Sequence, residues 1–474
     1  MIKSFFKDSL VYTVPSILSR GVSLLMVPFY TRVLDPKGYG VLDLLLVIVT
    51  IANLIVALEI SQAVARFYSS ETDVDSKRLY SSTSFWFSLV CYLLFSLFFL
   101  AASDYISMLI FNSEGYEYYF QLSMVYIFFN GMFYIIQNQL RWEFRSLAYG
   151  IASIIYTSVS ALSGIFFVIL GGMKLQGVLY GMILGALLGC LYGLFQLRDS
   201  YRFEFDVVRL RKMLLFSSPL VPVGIIVFSM LYIDRLMINH YMTLDDVGIY
   251  GMGFRLASVV SILMVGFQMS LTPLVYANYH KSEVPGQLAT IFRVFVAFGL
   301  IFFIFVGLFI KEILVFIVTP AYYSASSVVV LLVPAIFFSN MYVFFPGIGI
   351  AKKNHLKIYI HLLGLIVSIL LNYQLIPLFG VEGAAISALL GYLSVFIGYA
   401  LVSQKLYPVP HDWARIILGI ALAGMWVAFV WWGDPGVILK IAALFVSVLI
   451  LFFAKLVCIS DIKNLYIYVS ARVE

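Results

Sequence analysis

Long apolar runs alternate with short polar connections along almost the whole chain. We place about 14 runs of about 20 residues, the length an α-helix needs to cross the hydrocarbon core of a bilayer. The predicted spans are 8–31, 39–63, 81–103, 117–140, 147–171, 175–197, 213–239, 246–270, 288–310, 324–350, 354–377, 381–403, 413–432 and 436–457. Ten-residue segments of alternating polarity, which a membrane β-barrel would show, are absent. The pattern predicts an all-α integral membrane protein.

The basic residues give the orientation of these spans. Of the 30 Lys and Arg residues, 22 fall on alternate connections, five on the remaining connections and three inside spans. Because cytoplasmic connections carry the excess of Lys and Arg, both chain ends are predicted on the cytoplasmic side. The composition agrees, since 62% of the residues are hydrophobic and only 11% are charged, far from the balance of a soluble domain.

The chain repeats itself at a spacing of about six spans. The turn at 34–41 matches the turn at 242–249 at a shift of 208 residues, and the glycine stripe of span six matches span twelve at a shift of 206. Asn130 and Asn340 pair at a shift of 210. Since six is even, both halves insert the same way up, which predicts two lobes related by a pseudo-twofold axis along the membrane normal. The predicted division is an N-lobe at 1–197, a cytoplasmic linker at 198–212, a C-lobe at 213–403, and two added helices with a tail at 404–474.

The connections are too short for a separate catalytic domain, because none exceeds about 17 residues. The five histidines show no metal-ligand spacing, and no phosphate-binding loop or nucleophile motif is present. The three cysteines fall within or at the ends of spans, so no disulfide is expected. The sequence predicts neither an enzyme, a cofactor nor a metal site, and the scattered basic residues do not indicate nucleic acid as a partner.

Charged residues inside the spans are the sharpest candidates for function. Arg20 lies near the middle of span one, Asp234 and Arg235 in the outer part of span seven, and Arg255 in span eight. An arginine at mid-membrane costs at least ~2.5–3.5 kcal/mol, so each should face a cavity or a partner. Asp234 and Arg235 point about 100° apart on a helix, so each needs a different partner.

Two interpretations of these arginines stay open. In the first, Arg20, Arg235 and Arg255 line a water-filled central cavity and bind a phosphate or diphosphate, since guanidinium groups bind oxyanions in a fork. In the second, they form structural ion pairs, for example Arg20 with Glu59 or Arg255 with Asp234.

Further charged residues complete the candidate site. Asp43 and Glu59, at the two ends of span two, are with Asp234 the candidates for ion coupling or ion pairing. Arg66 and Arg293 are predicted at the inner mouth of the cavity.

Prolines interrupt the first helix of each half in related places. They are Pro15 and Pro28 in span one and Pro219 and Pro222 in span seven. Because a proline removes one backbone hydrogen bond and bends the helix, these positions are predicted hinges beside a substrate site.

The chain resembles polysaccharide flippases of the Wzx type, in the multidrug/oligosaccharidyl-lipid/polysaccharide exporter superfamily. The resemblance is carried by residues 19–21 (SRG) and 28–40 (PFYTRVLDPKGYG), echoed in the second half by 233–236 (IDRL) and 247–250 (VGIY). It implies a V-shaped, two-lobed fold whose cavity is lined by helices one, two, seven and eight. It also implies that an undecaprenyl-diphosphate-linked oligosaccharide, such as an O-antigen or capsule repeat unit, moves from the inner to the outer leaflet of a bacterial inner membrane by alternating access.

Partners of such a protein would be this substrate, membrane lipids and other membrane proteins of polysaccharide assembly. Two transporters of the same superfamily remain alternatives, a lipid II flippase and a cation-coupled multidrug exporter. A drug exporter would favour deep acidic groups, whereas the deepest charge here is Arg20. A membrane polymerase or glycosyltransferase would need a long outer loop, which the sequence does not contain.

Overall fold

The computed structural model describes residues 21–433 except Ser23, and 435–453. Arg20 and Pro15 therefore lie outside the described residues. In the described part the regular secondary structure is helical. The helices are α1 Val27–Val33, α2 Pro36–Ile55, α3 Ile60–Ser70, α4 Val74–Ala101, α5 Ser103–Phe111, α6 Glu117–Trp142, α7 Ser146–Ile169, α8 Leu175–Gln196, α9 Val207–Ser217, α10 Leu220–Tyr241, α11 Leu244–Ala257, α12 Val259–Asn278, α13 Val284–Ile317, α14 Ala325–Asn340, α15 Gly347–Ile350, α16 His355–Leu406, α17 Trp413–Gly433 and α18 Val437–Phe453, with short 3₁₀ turns at Pro320–Tyr322 and Met341–Phe344.

Nine helices of the described part are long and apolar enough to cross a membrane. One of them, α16, covers two predicted spans, because Gly380 breaks its helical path with a φ of 60°. Predicted span eight is divided between α11 and α12, and spans thirteen and fourteen correspond to α17 and α18. Together with span one, which lies mostly outside the described residues, these helices agree with an all-α membrane protein of about 14 spans.

Aspartates begin several helices on the connections. Asp35 accepts a hydrogen bond from the Gly38 amide at 2.8 Å, with Pro36 at the first helical position of α2. Asp73 caps α4 in the same way through the Ser76 amide, also at 2.8 Å, and this bond holds the pKa of Asp73 below its usual value. The turn chemistry of the sequence thus places the helix starts.

Predicted span two differs from the structure, because it is not one continuous helix. The chain leaves α2 after Ile55 and re-enters a helix at Ile60, with Leu58 and Glu59 both in the left-handed region at φ 50° and 53°. Such a conformation costs a non-glycine residue of order 1–3 kcal/mol and persists only where the surrounding structure enforces it. No glycine or proline marks this break in the sequence.

The chain forms two compact units, Met1–Met252 and Gly253–Glu474. In the first, α8 packs closely on α7 through its glycine stripe, since a methyl group added at Gly181 would lie 2.5 Å from the Gly164 backbone nitrogen. In the second, Lys440 of α18 donates to Glu312 of α13 at 2.7 Å and joins a C-terminal helix to the rest of its unit. The division into lobes at 1–197 and 213–403, deduced from the repeat, differs from these two units and stays a prediction.

Candidate functional site

The two repeated turns meet each other inside the first unit. A methyl group added at Gly40 would strike the carbonyl oxygen of Leu244, and one added at Gly248 would strike that of Pro36. The contact is reciprocal, because Gly40 and Gly248, and likewise Pro36 and Leu244, are related by the same shift of 208 residues. Two copies of one turn thus pack backbone to backbone at the starts of α2 and α11, as a local twofold relation would arrange them. We call this contact, with Asp43 and Arg235 beside it, the glycine seam.

Arg235 lies at the glycine seam and is only 2% exposed. Its Nε donates to Asp43 Oδ2 at 2.6 Å, and its Nη1 donates to the Leu231 carbonyl at 3.0 Å. The rings of Tyr232 and Tyr250 lie 5.1 and 5.6 Å from the guanidinium carbon. In this conformation the Arg235 charge is therefore balanced by an adjacent carboxylate and covered by aromatic faces.

Asp234 and Arg235 have different partners, as their angular separation on the helix predicts. Asp234, 2% exposed, accepts a hydrogen bond from the Tyr250 hydroxyl at 2.7 Å. Gly251, the repeat equivalent of Asp43, leaves room for the ion pair, since a methyl group there would lie 2.6 Å from Asp43 Oδ2. Sequence reasoning missed Tyr250 and Gly251, although the shift of 208 pairs Gly251 with Asp43.

Glu59 occupies the helix break between α2 and α3 and is half-buried. Within the described residues no cation lies within salt-bridge distance of it, whereas Asp43 and Asp234 each accept a hydrogen bond at the seam. A carboxylate held at a backbone break inside an apolar region is where protonation or cation binding has the largest energetic effect.

A hydrogen-bonded network of amides and tyrosines crosses the first unit. Asn53 of α2 donates to Asn130 Oδ1 at 2.8 Å and accepts from the Tyr92 hydroxyl at 3.2 Å. Asn130 in turn donates to the hydroxyls of Tyr126 and Tyr156, which lie 2.6 Å apart. The network joins four helices, α2, α4, α6 and α7.

The second unit has a related amide bridge. Gln268 of α12 donates to Asn340 Oδ1 of α14 at 3.2 Å. In both units an asparagine in the fourth span of its predicted half, Asn130 or Asn340, accepts a hydrogen bond from a side-chain amide in the second span of that half. The match at a shift of 210 residues, weak in the sequence alone, thus corresponds to the same kind of contact between helices.

The remaining predicted residues are dispersed. Arg66 of α3 is exposed, with its guanidinium carbon 4.5 Å from the centre of the Phe216 ring. Arg255 near the end of α11 and Arg293 of α13 are half-buried. Of the prolines, Pro219 separates α9 from α10, as expected of a helix interruption, while the other two described ones, Pro28 and Pro222, lie in the first turns of α1 and α10. The described residues contain no group of three or more His, Cys, Asp or Glu side chains arranged to hold a metal ion.

The fold is shared with proteins that span a membrane many times. A lipid II flippase, MurJ, in its inward closed conformation superposes with a TM-score of 0.75 over 93% of this chain and 98% of its own, at 13% identity. An inward-facing multidrug resistance MATE transporter of the MOP superfamily superposes with a TM-score of 0.65 over 82% of this chain and 94% of its own, at 17% identity. These likenesses confirm the predicted fold class.

Within this class, the chain belongs to the polysaccharide biosynthesis protein family, whose sequence profile matches residues 5–278. Protein 1 of the Lsg locus of Haemophilus influenzae is 24% identical over 287 residues, which are 60% of this chain and 68% of that protein. The resemblance read from the sequence is thereby confirmed. The family match covers the glycine seam, Glu59, Arg20 and Arg255.

Proposed function

We propose that this protein is a flippase that carries an undecaprenyl-diphosphate-linked oligosaccharide, an O-antigen or capsule repeat unit, from the cytoplasmic to the periplasmic leaflet. The observation that carries the proposal is the polysaccharide biosynthesis match over residues 5–278, in a chain whose fold is shared with a lipid flippase and a drug exporter. The short connections leave little chain for catalysis outside the membrane, which supports transport rather than an enzyme. The charge pattern supports a bacterial inner membrane with both chain ends in the cytoplasm.

Arg20 and Arg255 are the residues we assign to the diphosphate. Guanidinium groups stay charged inside a membrane and bind phosphate oxygens in a fork, so they fit an anionic headgroup better than a cationic drug. Arg66 and Arg293 would attract the same headgroup at the cytoplasmic mouth, where electrostatic attraction raises the local concentration of an anion.

Arg235 has a different role in this proposal. Because Asp43 already balances its charge at 2.6 Å, we assign the pair to holding the glycine seam closed on the periplasmic side. Alternating access then requires that the pair separate, or that its helices move together, when the periplasmic side opens.

The proposal also needs an energy source for export. Moving negative charge outward across an inside-negative membrane gains ~2.3 kcal/mol per charge per 100 mV, which favours export of a diphosphate. If an ion is coupled as well, Glu59 is the first candidate, since Asp43 and Asp234 are occupied in hydrogen bonds at the seam. Pro15, Pro28, Pro219 and Pro222 are the proposed hinges.

The test is flipping in proteoliposomes. Purified protein is reconstituted with a labelled undecaprenyl-diphosphate oligosaccharide, and access of the label to an outside probe is followed for the native chain and for the Arg20→Ala/Arg255→Ala variant. We expect a drop of at least tenfold in rate, because each lost charge-assisted contact is worth ~1.5–3 kcal/mol. The control is Arg198→Ala/Arg415→Ala, which removes the same charge from an exposed and a partly exposed position outside the proposed site and should flip at the native rate. Equal rates in both variants would contradict the diphosphate assignment.

The likeness to MurJ favours a second candidate, a lipid II flippase. The same vesicles loaded with labelled lipid II separate the two, because a repeat-unit flippase should move lipid II poorly. A drug exporter would instead show efflux of a cationic dye and no movement of either lipid.

A further inference from the structure

The linker between the two predicted halves is fixed along one side of α4. The Arg202 amide donates to Ser82 Oγ at 2.8 Å, and the Trp86 indole nitrogen donates to the Arg202 carbonyl at 2.8 Å. Four residues further along the linker, the Asp206 amide donates to Thr83 Oγ1 at 3.1 Å. Backbone groups of the linker thus pair with side chains of α4, which fixes both the position and the rotation of this segment.

These contacts set the depth of the linker. The helix α4 runs from Val74 to Ala101, and about 20 residues suffice to cross the hydrocarbon core. The last 20 residues of α4 begin at Ser82, and hydropathy alone starts span three at residue 81. With the hydrocarbon core placed over these 20 residues, the linker lies at the cytoplasmic boundary of that core.

The outward side of the linker is apolar and basic at once. Phe203 is 94% exposed and its ring stacks on that of Trp86, with centroids 5.0 Å apart. The helix α9, which follows the linker, carries Val208, Lys212 and Leu215 in one row at i, i+4 and i+7, and Val207 and Arg211 in the adjacent row. All five of these side chains are exposed. We call Phe203 and these five residues the linker face.

The cations of the linker face differ from their neighbours. Arg202 lies 3.1 Å from Asp75, and Arg209 lies 2.6 Å from Asp206. For Arg211 and Lys212, by contrast, no carboxylate of the described residues lies within salt-bridge distance. Apolar side chains beside uncompensated cations are the composition of elements that lie in the headgroup layer of an anionic membrane.

We propose that the linker face is a binding surface for acidic phospholipids of the cytoplasmic leaflet. Phe203, Val207, Val208 and Leu215 insert among the acyl chains at the hydrocarbon boundary, while Arg211 and Lys212 extend to the phosphate groups above them. A soluble protein partner fits less well, because these apolar side chains lie at membrane depth, beside the start of a spanning helix. The assignment rests on the proposed orientation of the chain but not on the identity of the transported substrate.

The depth of the face is measured first. The full-length protein, with Cys91, Cys190 and Cys458 changed to serine, receives a nitroxide at Phe203→Cys or, as the control, at Glu204→Cys, in phosphatidylglycerol-containing nanodiscs. We expect the label at position 203 to collide with oxygen and to be protected from a water-soluble nickel complex, and the label at 204 to show the opposite. A label at 203 that meets the nickel complex as readily as the one at 204 would overturn the proposal and leave the face open to an aqueous partner.

The headgroup preference is measured second. Binding of spin-labelled phosphatidylglycerol relative to phosphatidylcholine is compared for the native chain, for Arg211→Gln/Lys212→Gln, and for Lys352→Gln/Lys353→Gln, which removes two charges from another exposed turn predicted to be cytoplasmic. We expect the preference to fall about fivefold for each cation removed from the linker face and to stay unchanged in the control. An unchanged preference in the linker variant, or an equal fall in both, would overturn the proposal. Because no flipping substrate is present, failure of the proposed transport function would not alter either result.

Discussion

At the scale of single residues, the ion pair between Asp43 and Arg235 shows how this protein manages buried charge. Removing a guanidinium from water costs several kcal/mol, and this cost is offset only where a carboxylate and further acceptors lie in good geometry. The structure supplies Asp43, the Leu231 carbonyl and two tyrosine rings, and Gly251 gives the space in which Asp43 fits. The arginine is thus held by the whole seam rather than by one contact.

Removing one partner of this pair should therefore be far more harmful than removing both. We expect Asp43→Ala to lower stability by about 3–5 kcal/mol, because Arg235 would stay buried without a counter-charge, and Asp43→Asn/Arg235→Met to recover part of that loss. Thermal unfolding in nanodiscs measures the change. The control is Arg415→Gln, whose pair with Asp412 is exposed and should contribute only about 0–1 kcal/mol. Equal losses in both single variants would show that the Asp43–Arg235 pair is not effectively buried.

A second single residue, His411, makes the second unit sensitive to acid. It lies on the connection before α17, with the Phe292, Phe345 and Trp413 rings 4.7, 5.3 and 5.4 Å from its own. Burial lowers the pKa of His411 to about 4. The unfolded chain binds a proton near pH 6.5 and the folded chain only near pH 4, so stability is lost as the pH falls between these values, by up to about 3 kcal/mol.

His411→Phe should remove this sensitivity, because a phenyl ring fills the same aromatic site without binding a proton. Melting temperatures of the native chain and of the variant, recorded from pH 7.5 to pH 4.5, should diverge below about pH 6.5. The exposed His355→Phe is the control and should follow the native curve. Parallel curves for His411→Phe and the native chain would contradict the role given to the buried imidazole.

At the scale of helices, the sequence predicts most of the spans, but it predicts only some of the breaks in them. Periodic apolar runs and aspartate caps mark the starts of α2 and α4, and Pro219 marks the boundary between α9 and α10. The break at Leu58–Glu59 has no such signal, because left-handed leucine and glutamate are imposed by surrounding structure rather than by local preference. The pairing of Asp43 with Arg235 was equally hidden, since several opposite charges in the spans offered alternatives.

The glycine seam depends on backbone contact between α2 and α11, which gives a prediction at this scale. Gly248→Ala would drive a methyl group into the Pro36 carbonyl, with no flexible side chain to move aside. We expect a large loss of folded protein, comparable with the ~1–3 kcal/mol or more of overpacking in a tight core. Folded yield from size-exclusion chromatography measures the effect. Gly424→Ala in α17, where a methyl group meets nothing within 4 Å, should leave the yield unchanged.

At the scale of the whole molecule, the repeat gives two copies of one turn, and the charges make them unequal. Position 43 carries an aspartate where its equivalent, Gly251, has no side chain, and Arg235 stands where the first half has Val27. The backbone contact between the two turns is thus symmetric, whereas the ion pair beside it, Asp43 with Arg235, has no counterpart at the repeat-equivalent positions. If this protein is the transporter proposed above, it must leave each of its states, so the ion pair should be strong enough to close one side and weak enough for substrate binding to open it.

Weakening the ion pair between Asp43 and Arg235 should therefore shift the population toward a state that is open at the periplasmic side. Val47, one turn deeper than Asp43 on α2, is 3% exposed, so a cysteine at this position reports opening of the seam. In a chain with its native cysteines changed to serine, Val47→Cys should resist an impermeant maleimide added outside right-side-out vesicles. Adding Asp43→Asn and Arg235→Gln should speed labelling about tenfold or more, since a loss of 1.4 kcal/mol changes an equilibrium tenfold. Glu114→Cys, exposed on the same predicted side, should react at one rate in both backgrounds. If Val47→Cys is labelled at the same rate with and without the Asp43 and Arg235 changes, the backbone contact of Gly40 and Gly248 alone holds the seam closed. Asp43 and Arg235 would then contribute to stability rather than to transport.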